Sequence, residues 1–593
     1  MEFIAANLAP IMFGAVVLFL LSGFPVAFSL AACGLFFGFI GMELGLLPGT
    51  MFQALPLRVF GIMQNETLLA IPFFTLMGLI LERSGMAEDL LDTIGQVFGP
   101  ARGGLALAVI FVGALLAATT GVVAASVISM GLISLPIMLR YGYSRPLAAG
   151  VITASGTLAQ ALPPSIVLIV LADQLGRSVG DMYKGAFLPA FILVGMYVLY
   201  VVALSIFSPK SAPALPPEAL KYKQPDGGSG MRSLGVLMAL LATTGMVFGQ
   251  FYGDIASWVK GSPVNPATDE TVVVALTVST MLGLALALLN KALKLGLLSI
   301  LAERVVFVLI PPLALIFLVL GTIFIGVATP TEGGAMGAVG ALAMAAARRR
   351  LDRKRLCDAL ESTTRLSVFV MFILIGATVF SFTFTAIDGK EWVEHLFDKL
   401  PGGQIGFLIF VNAVVFFLGF FLDFFEIAFI LIPLLAPIAD KLGIDLIWFG
   451  IMIAINLQTS FLTPPFGFAL FYLRSVAPVT SYIDRITKKR IEGMRTTDIY
   501  RGSIAFVLIQ LTLLGLLMAF PELVTGNLDA KVDVDLDTIR IAPQDGGWGD
   551  SSGGGAWGDN NSGWGDTPAA PEAPAEGTEP ASPAEDGWGR SAW

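Results

Sequence analysis

The sequence predicts an all-α polytopic membrane protein with about twelve transmembrane helices plus two re-entrant helical hairpins in an inverted repeat. Of the 593 residues, 56% are hydrophobic and only 13% are charged, and the mean hydropathy is +0.81. So little charge could not cover a water-exposed surface, which excludes a soluble enzyme. Uncharged runs long enough to cross a bilayer recur along the chain. The two halves of the chain also share one pattern of prolines and breaks.

The predicted crossings are the uncharged apolar runs, with bounds good to a few residues. They are residues 11–29, 30–48, 67–81, 146–172, 185–207, 233–251, 271–289, 305–328, 333–347, 366–387, 446–473 and 503–520. Segments 103–139 and 404–439 do not resemble simple crossings. Each half of 103–139 would span only about 25 Å as a helix. A re-entrant hairpin is therefore at least as plausible there as two full crossings.

Basic loops predict the orientation, because short cytoplasmic loops are enriched in lysine and arginine. The strongest is the loop from Arg348 to Arg355, followed by the stretch from Arg485 to Arg501. With about twelve crossings, this count places both termini outside the cytoplasm.

Composition divides the chain into four parts. Residues 1–207 form the first half, 208–290 a polar Pro/Gly-rich linker plus two inserted transmembrane helices, and 291–520 the second half. Residues 521–593 are rich in Gly, Pro, Ala and acids, and they hold 14 of the 44 acidic residues but 3 of the 35 basic ones. This tail therefore accounts for the net charge of −9. Since it lacks an apolar periodic face, we expect it to be disordered.

The two halves align without a gap at an offset of 301 residues. GTLAQALPPSI aligns with LQTSFLTPPFG, so that Pro163 and Pro164 pair with Pro464 and Pro465. The charged turn in the first half is basic, whereas the matching turn in the second half carries no net positive charge. Opposite charge character indicates opposite orientation. Inverted repeats of this kind are a common transporter architecture, with ion and substrate sites where helices are interrupted.

The interruptions supply the candidate site residues. The run AATTGVVAAS breaks 103–139 near its middle, and GFFLDFFEIAF places Asp423 and Glu426 inside the apolar run of 404–439. Intramembrane carboxylates are costly and by default functional. Each proline pair removes backbone donors and so frees carbonyl oxygens, which suit a hard cation such as sodium. Nearby side-chain oxygens add to these, or merely cap the broken helices: Ser155, Thr157, Asn456, Gln458, Thr459 and Thr463.

Enzymatic motifs are missing from the sequence. His395 is the only histidine, and no GxxxxGK[ST] occurs, so zinc protease chemistry, a Ser-His-Asp triad and P-loop ATP hydrolysis are not expected. Cys33 and Cys357 are too few for a disulfide framework. We therefore expect neither an enzyme nor a bound cofactor, with sodium as a coupling ion only, and no nucleic-acid partner.

Several stretches resemble one transporter family. They are NETLLAIPFFTLMG, PARGGLA, SVISMGLISLPIMLRYGY, GTLAQALPPSI, GVATPTEGGAMGA, LDFFEIAFILIPLLAPIADKLGID and INLQTSFLTPPFG. Together they resemble the large permease subunit of tripartite ATP-independent periplasmic (TRAP) transporters, the DctM family within the ion transporter superfamily. The resemblance covers about residues 1–520. The 208–290 insertion looks like one found in longer members, and the tail is not part of the family fold.

The resemblance implies an elevator mechanism, a location in the bacterial inner membrane, and sodium-coupled import of a small organic acid. It also implies two partners: a small four-helix membrane subunit (DctQ-like) and a periplasmic substrate-binding protein (DctP-like). By resemblance, sodium binds at Thr119, Thr120, Gly121, Ser126, Ser155, Gly156, Thr157, Asp423, Asn456, Gln458, Thr459 and Thr463. Substrate would bind between the hairpin tips at Ser126, Thr157, Glu426 and Thr463. The first tip departs from the family, reading TTGVVAAS where a Gly-Ser pair often stands.

Three alternatives stay open. A stand-alone ion-coupled organic-anion transporter would need no binding protein. A membrane scaffold or receptor would use the repeated WGD motifs of the tail for docking, but it would leave the duplicated broken helices unexplained. An intramembrane enzyme would need clustered catalytic groups, and the carboxylates here do not cluster in that way.

Overall fold

The computed structural model describes residues 2–219, 222, 230–261, 266, 268–294, 296–398, 400–484, 486–526 and 528. This part of the chain holds 24 α-helices, a few short 3-10 turns and one pair of two-residue antiparallel strands. The predicted disordered tail lies outside these residues from 529 onward. The described start of the predicted tail, which was placed at 521–593, contains a short helix, Glu522–Thr525, whose Val524 is fully buried.

The first helices confirm two predicted crossings and move the break between them. In order they are α1 Glu2–Ala6, α2 Leu8–Leu21, α3 Val26–Glu43, α4 Leu55–Met63, α5 Ala70–Arg83 and α6 Met86–Phe98. The boundary predicted at residues 29 and 30 is wrong, because α2 ends at Leu21. Gly23 there has a φ of +82°, and Pro25 precedes the first residue of α3. Glycine and proline together end one helix and start the next.

The first repeat contains an apolar helical pair and a broken helix. Its helices are α7 Gly104–Thr120, α8 Val123–Arg140, α9 Arg145–Thr157, α10 Ile166–Gln174 and α11 Val179–Phe207. Gly121, with a φ of +60°, ends α7, and one further residue separates it from α8. We refer to α7 and α8 as hairpin 1.

The start of the predicted linker packs against the protein. Ala212 O accepts from Gly103 N at 2.9 Å, and Ser211 O accepts from Ser144 N at 3.0 Å. Leu215 N donates to Gly99 O at 2.8 Å. Residues 208–219 therefore bridge both ends of hairpin 1 and the end of α6, which a polar composition alone did not predict.

The inserted pair and the following helices are long and apolar. They are α12 Met231–Lys260, α13 Thr268–Leu293, α14 Ile300–Phe324, α15 Pro330–Ala347 and α16 Arg353–Ala386. Small residues set the crossing of α3 and α16: a Cβ on Gly34 would lie 2.8 Å from Val379 O, and Gly376 likewise meets the backbone of Ala27. Such close approach of backbones is how membrane helices gain packing energy without a hydrophobic driving force.

The second repeat mirrors the first. Its elements are α17 Gly389–Asp398, α18 Gly403–Leu418, α19 Phe424–Ile430, α20 Ile432–Lys441, α21 Leu446–Leu462, α22 Phe468–Val476, β1 Tyr482–Ile483, β2 Arg490–Ile491, α23 Thr496–Ala519 and α24 Glu522–Thr525. We refer to α18, α19 and α20 as hairpin 2. The break that the sequence predicts around Asp423 lies between α18 and α19.

The protein is an all-α polytopic membrane protein. Within the described residues, eight helices are long and apolar enough to cross a membrane, or nine if the bent pair Met51–Met63 and Thr67–Arg83 counts as one span. Four further apolar helices are shorter, and they are Leu8–Leu21, Gly104–Ala118, Gly403–Leu418 and Leu446–Leu462. All twelve predicted crossings coincide with helices, but several are interrupted or too short to span as single straight helices.

Candidate functional site

Two broken helices lie at matching positions of the two repeats. In the first, α9 ends at Thr157 and α10 begins at Ile166, and in the second α21 ends at Leu462 and α22 begins at Phe468. Both interruptions contain the predicted proline pair, and both the Pro163–Pro164 and Pro464–Pro465 bonds are cis. The sequence therefore located both breaks correctly.

Hairpin 1 packs directly on the first broken helix. A Cβ on Gly156 would lie 3.1 Å from Val127 N, and one on Gly113 would lie 2.6 Å from Ser155 Oγ. At the turn, a Cβ on Gly121 would meet Ile166, the first residue of α10, with Cγ1 at 2.8 Å. At Gly156 the close neighbour is the backbone of Val127, whereas at Gly113 and Gly121 it is a side chain, so only Gly156 marks a close approach of two backbones. The hairpin turn thus lies against the start of α10.

The hydroxyl groups of this first cluster are buried and donate backward along their own helix. Ser155 Oγ donates to Ile152 O at 3.1 Å, and Thr157 Oγ1 donates to Ala154 O at 2.9 Å. Both side chains are fully buried. Since each hydroxyl donates its proton in this way, its oxygen keeps lone pairs that can coordinate a cation.

Hairpin 2 packs on the second broken helix in a comparable way. A Cβ on Gly419, at the end of α18, would lie 2.9 Å from Ser460 Oγ. Asp423 is the N-cap of α19, and its backbone N–H donates to Glu426 Oε2 at 2.9 Å. This reciprocal arrangement is a capping box, so Glu426 holds the start of α19 in place.

Asn456 is the most specific feature of the second cluster. Its Nδ2 donates to Asn412 O at 2.7 Å and to Asn412 Oδ1 at 3.0 Å, which fixes the orientation of the amide. Among the described residues, Asn456 Oδ1 then has no hydrogen-bond partner, although the residue is only 1% exposed. A buried acceptor without a donor costs free energy unless something else, such as a cation or water, satisfies it.

Comparison with known proteins decides the family. The family model for the DctM component of the tripartite ATP-independent periplasmic transporter matches residues 13–523. The chain belongs to the DctM family. It is 29% identical over 427 residues to the C4-dicarboxylate TRAP transporter large permease protein DctM of Pseudomonas aeruginosa, covering 72% of this chain and 81% of that protein.

Two further similarities extend over most of this DctM chain. The isethionate TRAP transporter permease protein DctMQ of Oleidesulfovibrio alaskensis is 25% identical over 483 residues, which is 81% of this chain and 62% of that protein. The solved structure of the YdaH transporter of Alcanivorax borkumensis is 14% identical, with a TM-score of 0.45, and the match covers 80% of this chain and 90% of that one.

The structure of this DctM chain brings the predicted residues into separate groups. Ser155 and Gly156 lie beside hairpin 1, where a Cβ on Gly156 would meet Val127, the residue after the buried Ser126. Asn456 lies beside hairpin 2. Thr459 Oγ1 and Thr463 Oγ1 donate to carbonyls four residues earlier, both at 2.8 Å. The side chains of Thr119 and Thr120 lie outside the described part of the structure.

Gln458 and Glu426 also contact other parts of the structure. Gln458 Nε2 lies 3.5 Å from Tyr197 Oη, which also accepts from Gln510 Nε2 at 2.6 Å. Glu426 lines a cavity of about 730 Å³ between hairpin 2, α16 and the turn between α2 and α3. The described contacts do not join Glu426 to Ser126 or Thr157.

Sequence reasoning missed two residues of the site. Asn412 orients Asn456. Gln160, shortly before the first proline pair, has a buried Oε1 that finds no partner in the described part of the chain. Gln160 carried a usable signal, since it is a polar residue inside the motif GTLAQALPPSI. Asn412 carried little, because a single polar residue in an apolar helix does not reveal what it faces.

Proposed function

We propose that this DctM chain is the large membrane subunit of a sodium-coupled, ATP-independent secondary transporter that imports a small organic acid across a bacterial inner membrane. Membership of the DctM family supports the transport function. The observation that carries the sodium coupling is the oriented, unpartnered Oδ1 of Asn456 beside hairpin 2.

The chemistry of the two clusters suits a monovalent cation. In the described residues, no three His, Cys, Asp or Glu side chains come together as a metal site. The candidate ligands beside hairpin 1 are neutral hydroxyl and carbonyl oxygens, namely Ser155, Thr157 and the carbonyls shortly before Pro163. Two of these carbonyls, Ala159 O and Gln160 O, also accept from Ser165 Oγ. Beside hairpin 2, the candidate ligands are the neutral side chains of Asn456 and Thr463 and the carboxylate of Asp423. Oxygen ligands of low total charge favour a hard, singly charged ion such as sodium.

The substrate in this proposal is an anion. The relatives described above are named for a C4-dicarboxylate and for isethionate, and both compounds carry acidic groups. A sodium ion at each hairpin would offset the negative charge of such a substrate bound between the tips near Ser126, Thr157 and Thr463. Since Glu426 already accepts the N–H of Asp423, we assign it the task of holding the tip of hairpin 2 rather than a direct bond to the substrate.

The family description names a tripartite transporter, so we infer two further components. They are a small four-helix membrane subunit and a periplasmic substrate-binding protein that delivers the organic acid. In the proposed elevator, the hairpins and broken helices move together against helices such as α5, α15 and α16, and the bound ions and substrate cross with them.

Uptake by proteoliposomes tests the coupling. The full chain is reconstituted with its small subunit, loaded binding protein is added outside, and uptake of the organic acid is measured with a sodium or a potassium gradient. We expect uptake with sodium and none with potassium. Asn456→Ala should abolish it, because the variant lacks the oriented Oδ1.

A matched variant separates coupling from folding. Asn290 is also a buried asparagine, but its Oδ1 already accepts from Leu297 N at 3.0 Å. Asn290→Ala should therefore retain sodium-dependent uptake. Full uptake by the wild type in potassium alone would refute the proposal.

A further inference from the structure

An arginine cluster lies at the ends of α14 and α15, outside the candidate transport site. Arg350 lies 2.8 Å from Asp89 Oδ2, and Arg304 and Arg348 each lie 3.6 Å from an oxygen of the same carboxylate. Asp89 is on α6, so the cluster joins three helices that are far apart in sequence. The charge count of the sequence assigns this side to the cytoplasm.

The single carboxylate does not neutralise its partners. Three guanidinium groups pair with the one carboxylate of Asp89, so these four side chains together carry two net positive charges. The next carboxylate along α6, that of Asp92, accepts from the Tyr222 hydroxyl at 3.1 Å. The pKa of Arg348 is lowered, first by its burial and then by repulsion from Arg350 and Arg304, while Asp89 opposes this shift. An anion bound beside the three guanidinium groups would relieve this repulsion.

Arg304 retains unused hydrogen-bonding capacity. Its Nε is buried and has no partner among the described residues, and its guanidinium lies 6.0 Å from the ring centroid of Tyr222. An arginine offers five N–H donors. The other two arginines also bond to backbone carbonyls. Arg348 Nη2 donates to Phe307 O at 2.5 Å, and Arg350 Nη1 donates to Gly85 O at 3.1 Å. The buried Nε itself cannot be reached by a ligand, but the Arg304 side chain is 41% exposed, so its terminal N–H groups can be.

The surroundings combine open polar space with apolar surface. Next to Arg350 is a cavity of about 460 Å³, in whose lining three arginines outnumber two glutamates. The chain from the end of α13 to the start of α14 carries apolar surface. Its residues Leu293, Leu297 and Ile300 are between 49% and 74% exposed. An anionic group bound to the arginines could thus continue into acyl chains along these side chains.

We propose that Arg304, Arg348 and Arg350 form a binding site for the phosphate headgroup of an anionic phospholipid of the cytoplasmic leaflet. Guanidinium groups bind phosphate oxygens in a bidentate manner. Basic pockets between helices on the cytoplasmic side recognise lipid headgroups. The exposed apolar residues favour a lipid over free phosphate as the source. This inference does not depend on which ion or substrate the protein transports.

Native mass spectrometry of the purified, delipidated full chain tests the site. Phosphatidylglycerol or phosphatidylcholine is added, and the retained lipid is counted. Two net positive charges should favour phosphatidylglycerol by roughly tenfold. The double variant Arg304→Gln with Arg348→Gln should lose this preference. The matched double variant Arg490→Gln with Arg501→Gln removes two exposed arginines elsewhere and should keep it.

A variant that should increase lipid retention controls for loss of retention through misfolding. Asp89→Asn removes the carboxylate that occupies the arginines, so it should increase phosphatidylglycerol retention severalfold. Equal retention of the two lipids by the wild type, or lower retention by Asp89→Asn, would overturn the proposal. If inorganic phosphate alone raises the melting temperature as much as phosphatidylglycerol does, the site binds a soluble phosphate and the lipid assignment is wrong.

Discussion

Asn65 Nδ2 donates to Asp173 Oδ1 at 2.6 Å, which ties the chain just before α5 to the end of α10. At the other end of α5, Ser129 of hairpin 1 donates to Glu82. Helix α5, which precedes the first repeat, is therefore hydrogen-bonded to that repeat at both ends. One bond is to the broken helix and the other is to hairpin 1. Any sliding of the repeat along α5 must break both bonds.

A disulfide cross-link between positions 65 and 173 should stop transport. In a background without Cys33 and Cys357, the pair Asn65→Cys and Asp173→Cys is oxidised, and uptake is measured in proteoliposomes before and after reduction. We expect uptake to fall to background on oxidation and to return on reduction, because the proposed elevator needs these residues to separate. The pair Ser208→Cys and Ser211→Cys is the control, since these Oγ atoms lie 3.0 Å apart within one segment. Uptake that survives complete cross-linking of 65 to 173 would contradict a sliding first repeat.

Asn412 should act through Asn456 as a positioning residue. Asn412→Ala removes an acceptor of the Asn456 amide, worth about 1–1.5 kcal/mol. We therefore expect the sodium concentration for half-maximal uptake to rise roughly tenfold, while maximal uptake at saturating sodium is largely retained. Thr512→Ala, at an exposed position of α23, should leave both quantities unchanged. An equal loss of uptake at every sodium concentration would indicate a structural role instead.

Gly156 should tolerate no side chain. A methyl group there would lie 3.1 Å from Val127 N and 3.2 Å from Val127 Cα, and would also meet Val127 Cγ2, so hairpin 1 would have to move away from α9. Gly156→Ala should destabilise the protein by about 1–3 kcal/mol, which thermal unfolding in detergent would detect. Gly515→Ala faces open space on α23 and should be neutral or stabilising. Equal melting temperatures for the two variants would show that hairpin 1 can move away from α9 without a loss of stability.

Asp484 should stabilise the loop between α22 and α23 in a pH-dependent way. Its pKa is lowered to about 2, first by the backbone N–H of Thr487 and also by the Thr487 hydroxyl and Arg140. Because the folded pKa lies below the ordinary value of about 3.9, the contribution is present above that pH and is lost as the pH falls toward about 2. Asp484→Asn should melt below the wild type at neutral pH, with the difference narrowing between about pH 4 and pH 2.

The exposed carboxylate of Glu492 provides the comparison for this experiment. It pairs with Arg145 at 3.0 Å but is 76% exposed, so Glu492→Gln should have little effect at any pH. A constant difference between Asp484→Asn and the wild type across the acid range would show that the carboxylate charge is not the cause.

Features that depend on local chemistry were predictable from the sequence. Helical spans follow from uncharged runs, and both helix breaks follow from Pro163–Pro164 and Pro464–Pro465, each preceded by polar residues. Proline alone does not decide a break, since Pro311 and Pro312 lie inside α14. The break between α2 and α3 was misplaced by several residues because Gly23 and Pro25 were weaker signals than the apolar run around them. The packed segment at 208–219 was taken for a linker, because its hydrogen bonds are made by backbone groups that composition does not reveal.

The sequence by itself determined that this chain crosses a membrane, that its halves repeat, and to which transporter family it is similar. These conclusions rest on hydropathy, prolines and short motifs, which are properties of consecutive residues. The tertiary structure decided which polar groups meet. Asn412 and Asn456 are 44 positions apart, and Asp89 and Arg350 are 261 apart. Whether such groups satisfy each other, or leave an acceptor like Asn456 Oδ1 unpartnered, depends on how helices pack side by side, and no periodicity along the chain encodes that distance.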